Sequence, residues 1–270
     1  MTAPARLRFM LITASPERAA EAERAGVDRI FVDLETLGKR ERQAGRSTVI
    51  SGHTLEDAAR VRKVLGSSAL LVRVNPLHEG TAAEVEGAIG AGAGLLMLPM
   101  LRSAAELGAV SRLVAGRAEL VALVETREAA ERIDEVAAVP GLSEIYVGLN
   151  DLSLSLGLDF LFEPLASGLV DRLAAAARRA GLPFGFGGVA RVGEGLLPAE
   201  LVLGEHLRLG STAVILSRAF HEGPGVDLAT EVGRLREVEE RLRRRTPAEV
   251  EQDRARTQET IEKIARERRR

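Results

Sequence analysis

Polar side chains close several short apolar runs in this chain. Asp33 and Glu35 follow Ile30-Phe31-Val32, Arg73 and Asn75 end Leu71-Val72-Arg73-Val74-Asn75, Glu125 follows Leu123-Val124, and Asn150-Asp151 follow Val147-Gly148-Leu149. If the runs are neighbouring strands, about 4.8 Å apart, Glu125 and Asp151 can converge on one cation. Two carboxylates, with the other positions left to water and substrate oxygen, is how Mg²⁺ or Mn²⁺ is held. Zinc fits less well, because the chain has no cysteine and no histidine stands at either strand end. Arg73, ending an apolar strand, must be paired or must bind a ligand. Its planar fork suits a carboxylate or enolate oxygen, and a salt bridge to Asp33 or Glu35 would satisfy it equally well.

These residues need a frame that sets strand ends side by side. Eight apolar, β-prone runs recur: Leu7–Ile12, Arg29–Leu34, Ala69–Val74, Gly94–Met100, Leu120–Glu125, Glu144–Asp151, Pro183–Val189 and Thr212–Phe220. Their near-continuous hydrophobicity suits parallel strands covered on both faces. Each is followed by an Ala/Glu/Arg-rich stretch at helical period. Ser15-Pro16-Glu17, Ser103 and Thr126 give helix starts, and Ala25-Gly26, Ala180-Gly181 and Leu209-Gly210 give stops. Eight β-then-α units predict a (β/α)8 TIM barrel, in preference to an open doubly wound sheet, and place function on the loops after the strands. Residues 1–245 read as the barrel. Leu228, Val232, Leu235, Val238 and Leu242 form the stripe of its last helix. Residues 246–270 read as an extra charged C-terminal helix, either solvated or packed on a neighbouring subunit, with Arg268-Arg269-Arg270 as a frayed end.

Composition narrows the chemistry further. Of 37 basic residues only Lys39, Lys63 and Lys263 are lysines, and none lies inside a strand, where a desolvated Schiff-base lysine would sit. The absence of cysteine removes thiolate nucleophiles and disulfides, and no Gly-x-Ser-x-Gly elbow occurs. A net charge of −2 gives no field for capturing nucleic acid or an anionic membrane. With no apolar run approaching a membrane span and no signal-peptide core at the start, the expectation is a soluble cytoplasmic protein.

The sequence resembles the HpcH/HpaI aldolase and citrate lyase β-subunit family from about Ala25 to Phe220. The resemblance is carried, in the family's order, by the segment Gly26 to Glu35, by Val72-Arg73-Val74-Asn75, Leu96-Met97-Leu98-Pro99-Met100 and Val124-Glu125-Thr126-Arg127-Glu128-Ala129, and by the segment Ile145 to Ser153. It implies a barrel that holds a divalent metal, Mg²⁺ or Mn²⁺, through Glu125 and Asp151, with Arg73 contacting a keto-acid or thioester oxygen. Members make or break carbon–carbon bonds next to a carbonyl. The implied partners are a pyruvate- or oxaloacetate-like 2-oxo acid with an aldehyde, or alternatively an acyl-CoA, and the implied assembly is a homo-oligomer, a trimer or hexamer. Catalytic roles fall to Arg73, Glu35, Asp33 and His53. Substrate contacts fall to Arg73, Pro99, Asn150, Asp151, Gly188, Arg191 and Arg218.

The sequence departs from the family in the longer strand-two and C-terminal features of its acyl-CoA members, which have no counterpart here, and in its expected base. Its pyruvate aldolases place a proton-transferring histidine after the strand-two acid, whereas Asp33-Leu34-Glu35 runs on to Thr36, with Lys39-Arg40 beyond as in the citrate lyase branch. The base is then open among a metal-bound water, His53 and His221, and a barrel kept as a binding or scaffold subunit stands as an alternative. His78 reads as a loop residue and His206 as a surface helix residue. Gly90, Gly92 and Gly94 precede a strand and read as a turn. Gly185, Gly187 and Gly188 end strand seven, where they either pack tightly or, with Arg191 and Arg218, bind a phosphate or carboxylate.

Overall fold

The computed structural model describes residues 6–38, 52–220 and 227–269; Lys39, Arg40 and His221 lie outside them. Eight parallel strands close on themselves: β1 Arg8–Ile12, β2 Arg29–Asp33, β3 Ala69–Arg73, β4 Leu95–Leu98, β5 Glu119–Val124, β6 Leu142–Val147, β7 Phe184–Val189 and β8 Ala213–Leu216. Each pairs with the next, and β8 pairs with β1, so the sheet has no edge. The chain is a TIM barrel.

Between the strands run helices α1 Pro16–Arg24, α2 Leu55–Val64, α3 Thr81–Gly90, α4 Ala104–Val114, α5 Arg127–Glu131, α6 Ile133–Ala137, α7 Leu149–Leu156, α8 Glu163–Ala166, α9 Leu169–Arg179 and α10 Ala199–Leu209. After β8 come a 3₁₀ turn at Arg218–Phe220, α11 Leu228–Arg243 and α12 Pro247–Arg268. The expected starts are present: Ser15, Ser103 and Thr126 each accept a first-turn backbone N–H, and Pro16 occupies the first turn of α1. Satisfying those otherwise orphaned donors fixes where each βα loop ends.

Alternation along the strands splits the interior in two. Met10, Phe31, Leu71, Leu95, Met97, Val121, Leu123, Tyr146 and Ala213 fill the lumen, while the intervening residues meet the helices in a larger outer core. At the strands' N-terminal end the lumen is closed by a buried fork-to-fork pair, Arg29 to Glu144 at 2.9 and 2.8 Å. In the outer core His206 of α10 is fully buried, not a surface residue. Its ring stacks on Phe186 with centroids 3.8 Å apart, and Nδ1 lies 2.7 Å from Ser211 Oγ. Burial without a charged neighbour pushes its pKa down to about 3.

The stripe Leu228, Val232, Leu235, Val238 and Leu242 is buried as its spacing requires. α12 folds back over its own barrel against α8 and α10, burying Thr257, Ile261 and Ala265. Its end is tied down: Arg269 pairs with Asp159 and Glu163 at 2.7 Å each, and the Arg268 guanidinium lies 5.3 Å from the Phe160 ring centroid. The arginines expected to fray are therefore anchored through residue 269. The reason is invisible in the local sequence, because their acidic partners come from a segment over a hundred residues away.

Candidate functional site

Register decides which strand-end residues meet. Arg29, Phe31 and Asp33 of β2 stand level with Ala69, Leu71 and Arg73 of β3, so all six face the lumen in three layers. Asp33 and Arg73 form the uppermost layer, at the C-terminal mouth. The Arg73 fork grips Asp33 with Nε and Nη2, both at 2.8 Å, and Nη2 lies 3.3 Å from Glu35. Phe31, one layer down, holds its ring 5.5 Å from the guanidinium carbon. The pairing that the sequence left open is thus made with both acids. Among desolvated carboxylates the guanidinium is held firmly in its charged form.

Glu125 lies one residue past β5 and is buried. Its Oε1 accepts the backbone N–H of Met100 at 3.0 Å, and Met100 holds φ at +52°, unusual for a residue with a Cβ. Such strain is commonly retained at functional sites. Val124 pairs with Val147, which brings Glu125 beside Gly148. A Cβ on Gly148 would lie 2.6 Å from Glu125 Oε2, so only glycine leaves the carboxylate its place. Burial is the largest influence on Glu125. Against the pull of Arg73, and with the charges of Asp151 and Glu35 adding to it, burial pushes the pKa up to about 8.

Asp151 does not end a strand. β6 stops at Val147, and Asn150 and Asp151 belong to the first turn of α7, with Asn150 Nδ2 3.3 Å from Asp151 Oδ1. The turn begins early because Gly148 breaks the apolar run and its carbonyl accepts the N–H of Leu152. Asp151 still comes close enough to Glu125 for the two charges to interact.

The remaining expected residues take varied places. His53, just ahead of α2, accepts the Asp33 backbone N–H on Nδ1 at 3.1 Å, so the neutral ring carries its proton on Nε2. Pro99 is buried directly after β4. Gly188 is the last residue but one of β7, Arg191 is engaged with Glu194 at 2.7 Å, and Arg218 is exposed on the 3₁₀ turn. Two contributors were not foreseen. One is the Met100 N–H. The other is Asn75, whose Oδ1 accepts the N–H groups of Thr36 and Leu37 at 2.8 and 2.9 Å and so pins the segment after Glu35.

Asp33, Glu35 and Glu125 lie around one guanidinium, itself committed to Asp33, and Asp151 adds its charge beside Glu125. That surplus of negative charge, made only of oxygen donors, fits a hard divalent cation such as Mg²⁺ or Mn²⁺. Among the described residues no group of three or more His, Asp or Glu side chains is placed to hold a metal ion.

A closed parallel barrel with acids and an arginine at the C-terminal mouth defines the class, an α/β barrel whose candidate site lies at the C-terminal ends of its strands. The family model for HpcH/HpaI aldolase/citrate lyase matches residues 6–184, and the chain belongs to that family. A hydroxypyruvate/pyruvate aldolase of Rhizorhabdus wittichii is 38% identical over 79 residues, 27% of this chain and 32% of that protein. A (3S)-malyl-CoA thioesterase of Cereibacter sphaeroides is 33% identical over 159 residues, 58% of this chain and 53% of that protein. The chain thus spans about half, or less, of the curated relatives it matches. In fold it is similar to the citrate lyase beta subunit from M. tuberculosis, complexed with oxaloacetate and magnesium. The TM-score is 0.60 at 20% identity, over 88% of this chain and 99% of that one. Among the described residues no helix is long and apolar enough to cross a membrane.

Proposed function

We propose that this chain is a divalent-metal carbon–carbon lyase whose substrate is a 2-oxo acid, pyruvate- or oxaloacetate-like, with an aldehyde as second partner. The observation that carries the reading is the buried Glu125 carboxylate, seated by the Met100 N–H and facing Asp151 and Glu35 beside the clamped Arg73. Glu125 and Asp151 would hold Mg²⁺ or Mn²⁺. When bound, the cation supplies positive charge toward the oxygen on which negative charge develops.

The chain's own groups do the rest. Arg73, immobilised by Asp33 and backed by Glu35, presents a fixed cation to the forming enolate oxygen, with no reorganisation needed as charge appears. The first turn of α7, with Asn150, offers backbone amides to the substrate carboxylate. His53, whose Nδ1 accepts the Asp33 N–H, would serve as the proton carrier beside these acids. Pro99, Gly188, Arg191 and Arg218 would contribute contacts to the second partner.

A thioester substrate is the second reading, favoured by the 33% identity to a malyl-CoA thioesterase over twice the length of the aldolase match. Product analysis separates the two. The enzyme, with Mn²⁺, is offered 4-hydroxy-2-oxo acids in one set and β-hydroxyacyl-CoA thioesters in another. Release of pyruvate plus aldehyde, lost in Glu125→Gln, supports the proposal. Turnover of thioesters alone transfers the site to the second reading, and turnover of neither removes the lyase assignment.

A further inference from the structure

Tyr146 heads the fully buried side chains of the described residues in size, and it sits in the lumen where β7 and β8 lose register. There β7 advances from Gly185 to Gly188 while β8 advances only from Ala213 to Ile215, which is a bulge. The Tyr146 hydroxyl spans the irregularity. It accepts the Ile215 N–H at 3.0 Å and donates to the Gly187 carbonyl at 2.6 Å, with the Phe186 carbonyl at 3.2 Å. Gly185 makes room for the ring, since a Cβ there would lie 2.6 Å from two of its carbons.

The consequence reaches the mouth. Gly187 holds φ at +52°, and a Cβ on it would lie 2.7 Å from Leu149 Cδ1, so the bulged backbone packs directly on Leu149. Leu149 is the first residue of α7, and Asp151 lies two residues further along the same turn. We infer that Tyr146 is a positioning residue for Asp151: its hydroxyl fixes the β7 bulge, the bulge seats Leu149, and Leu149 fixes the helix turn that presents the carboxylate. This rests on the reading of Glu125 and Asp151 as the cation's ligands.

The test is Mn²⁺ binding to the full chain, read from the loss of free-ion paramagnetic resonance signal, with thermal midpoints measured in parallel. Tyr146→Phe keeps the ring and removes only the hydroxyl and its hydrogen bonds to Ile215, Gly187 and Phe186. It is expected to weaken Mn²⁺ binding by about fivefold or more. Ile261→Ala, destabilised far from the mouth, is expected to bind as the wild type does, which separates positioning from general loss of stability. Should Tyr146→Phe not fold, Leu149→Ala removes the relay at its next contact and is expected to weaken binding similarly. Wild-type affinity in the folded Tyr146→Phe protein overturns the inference while leaving the carboxylate pair intact. If instead the wild type and Glu125→Gln bind Mn²⁺ equally, the ligand assignment falls and the inference falls with it.

Discussion

Replacing Gly148 by alanine isolates the contact that seats the central carboxylate. The backbone there has φ of −81°, which any residue adopts, so the substitution costs nothing in backbone strain. Its methyl would lie 2.6 Å from Glu125 Oε2, 3.0 Å from Glu125 Cβ and 3.2 Å from Leu123 Cδ1. The first distance is nearly an ångström short of ordinary contact. Glu125 is closed in by the lumen, so its carboxylate must swing and forfeit the Met100 N–H bond. Overpacking of this kind costs about 1–3 kcal/mol, and the lost hydrogen bond adds about 1 kcal/mol. At about 2 °C per kcal/mol for a chain this long, the thermal midpoint should fall by about 4–8 °C. Mn²⁺ affinity should fall by about tenfold or more, equivalent to about 1.4 kcal/mol. Calorimetry and metal titration on the same preparation read both quantities. Gly90→Ala, whose Cβ would meet nothing within 4 Å, serves as the control. A Gly148→Ala protein with unchanged midpoint and unchanged Mn²⁺ affinity would refute the reasoning, because the space would then not be what holds Glu125.

Two other predictions concern stability. His206 takes a proton near 6.5 when unfolded but only near 3 in the fold. Between those values the unfolded chain binds the extra proton, so stability is full above pH 6.5 and declines as pH falls, by up to about 1.4 kcal/mol per unit. Denaturant titrations from pH 7.5 to 5 should show that slope reduced in His206→Leu, and equal slopes in the two proteins would exclude His206 as its source. Ile261→Ala, which opens a void where α12 meets the barrel, should cost about 2–4 kcal/mol; an unchanged midpoint would mean that α12 is not docked as described.

The barrel was legible because its signal is repeated and local. Eight apolar runs, each followed by a helical period and bracketed by residues such as Ser15, Ser103 and Thr126, leave few alternatives, and the strand-end position of Arg73 and Glu125 follows directly. Asp151 reads from the sequence as a strand-end residue, at the right end of the barrel, but it belongs to the helix that follows β6. Gly148-Leu149 reads as more strand until one knows that Gly148 must make room for Glu125 across the β5–β6 ladder. The partner choice of Arg73 was likewise undecidable from spacing, since Asp33 and Glu35 are equally near in sequence and only register sets Asp33 level with it. His206 beside Glu205 reads as solvent-facing, yet Arg208 and Asp171 take up that glutamate's neighbourhood and the imidazole turns inward onto Phe186. Each miss involves a partner far away in the chain, which periodicity does not encode.

The central claim is that Glu125, Asp151 and Arg73 together stabilise negative charge next to a carbonyl. Solvent deuterium exchange into the methyl group of pyruvate, followed by proton NMR with and without Mn²⁺, tests it without knowledge of the second substrate. Exchange is expected to require the metal and to disappear in Glu125→Gln. Metal-independent exchange, or exchange undiminished in Glu125→Gln, would contradict it.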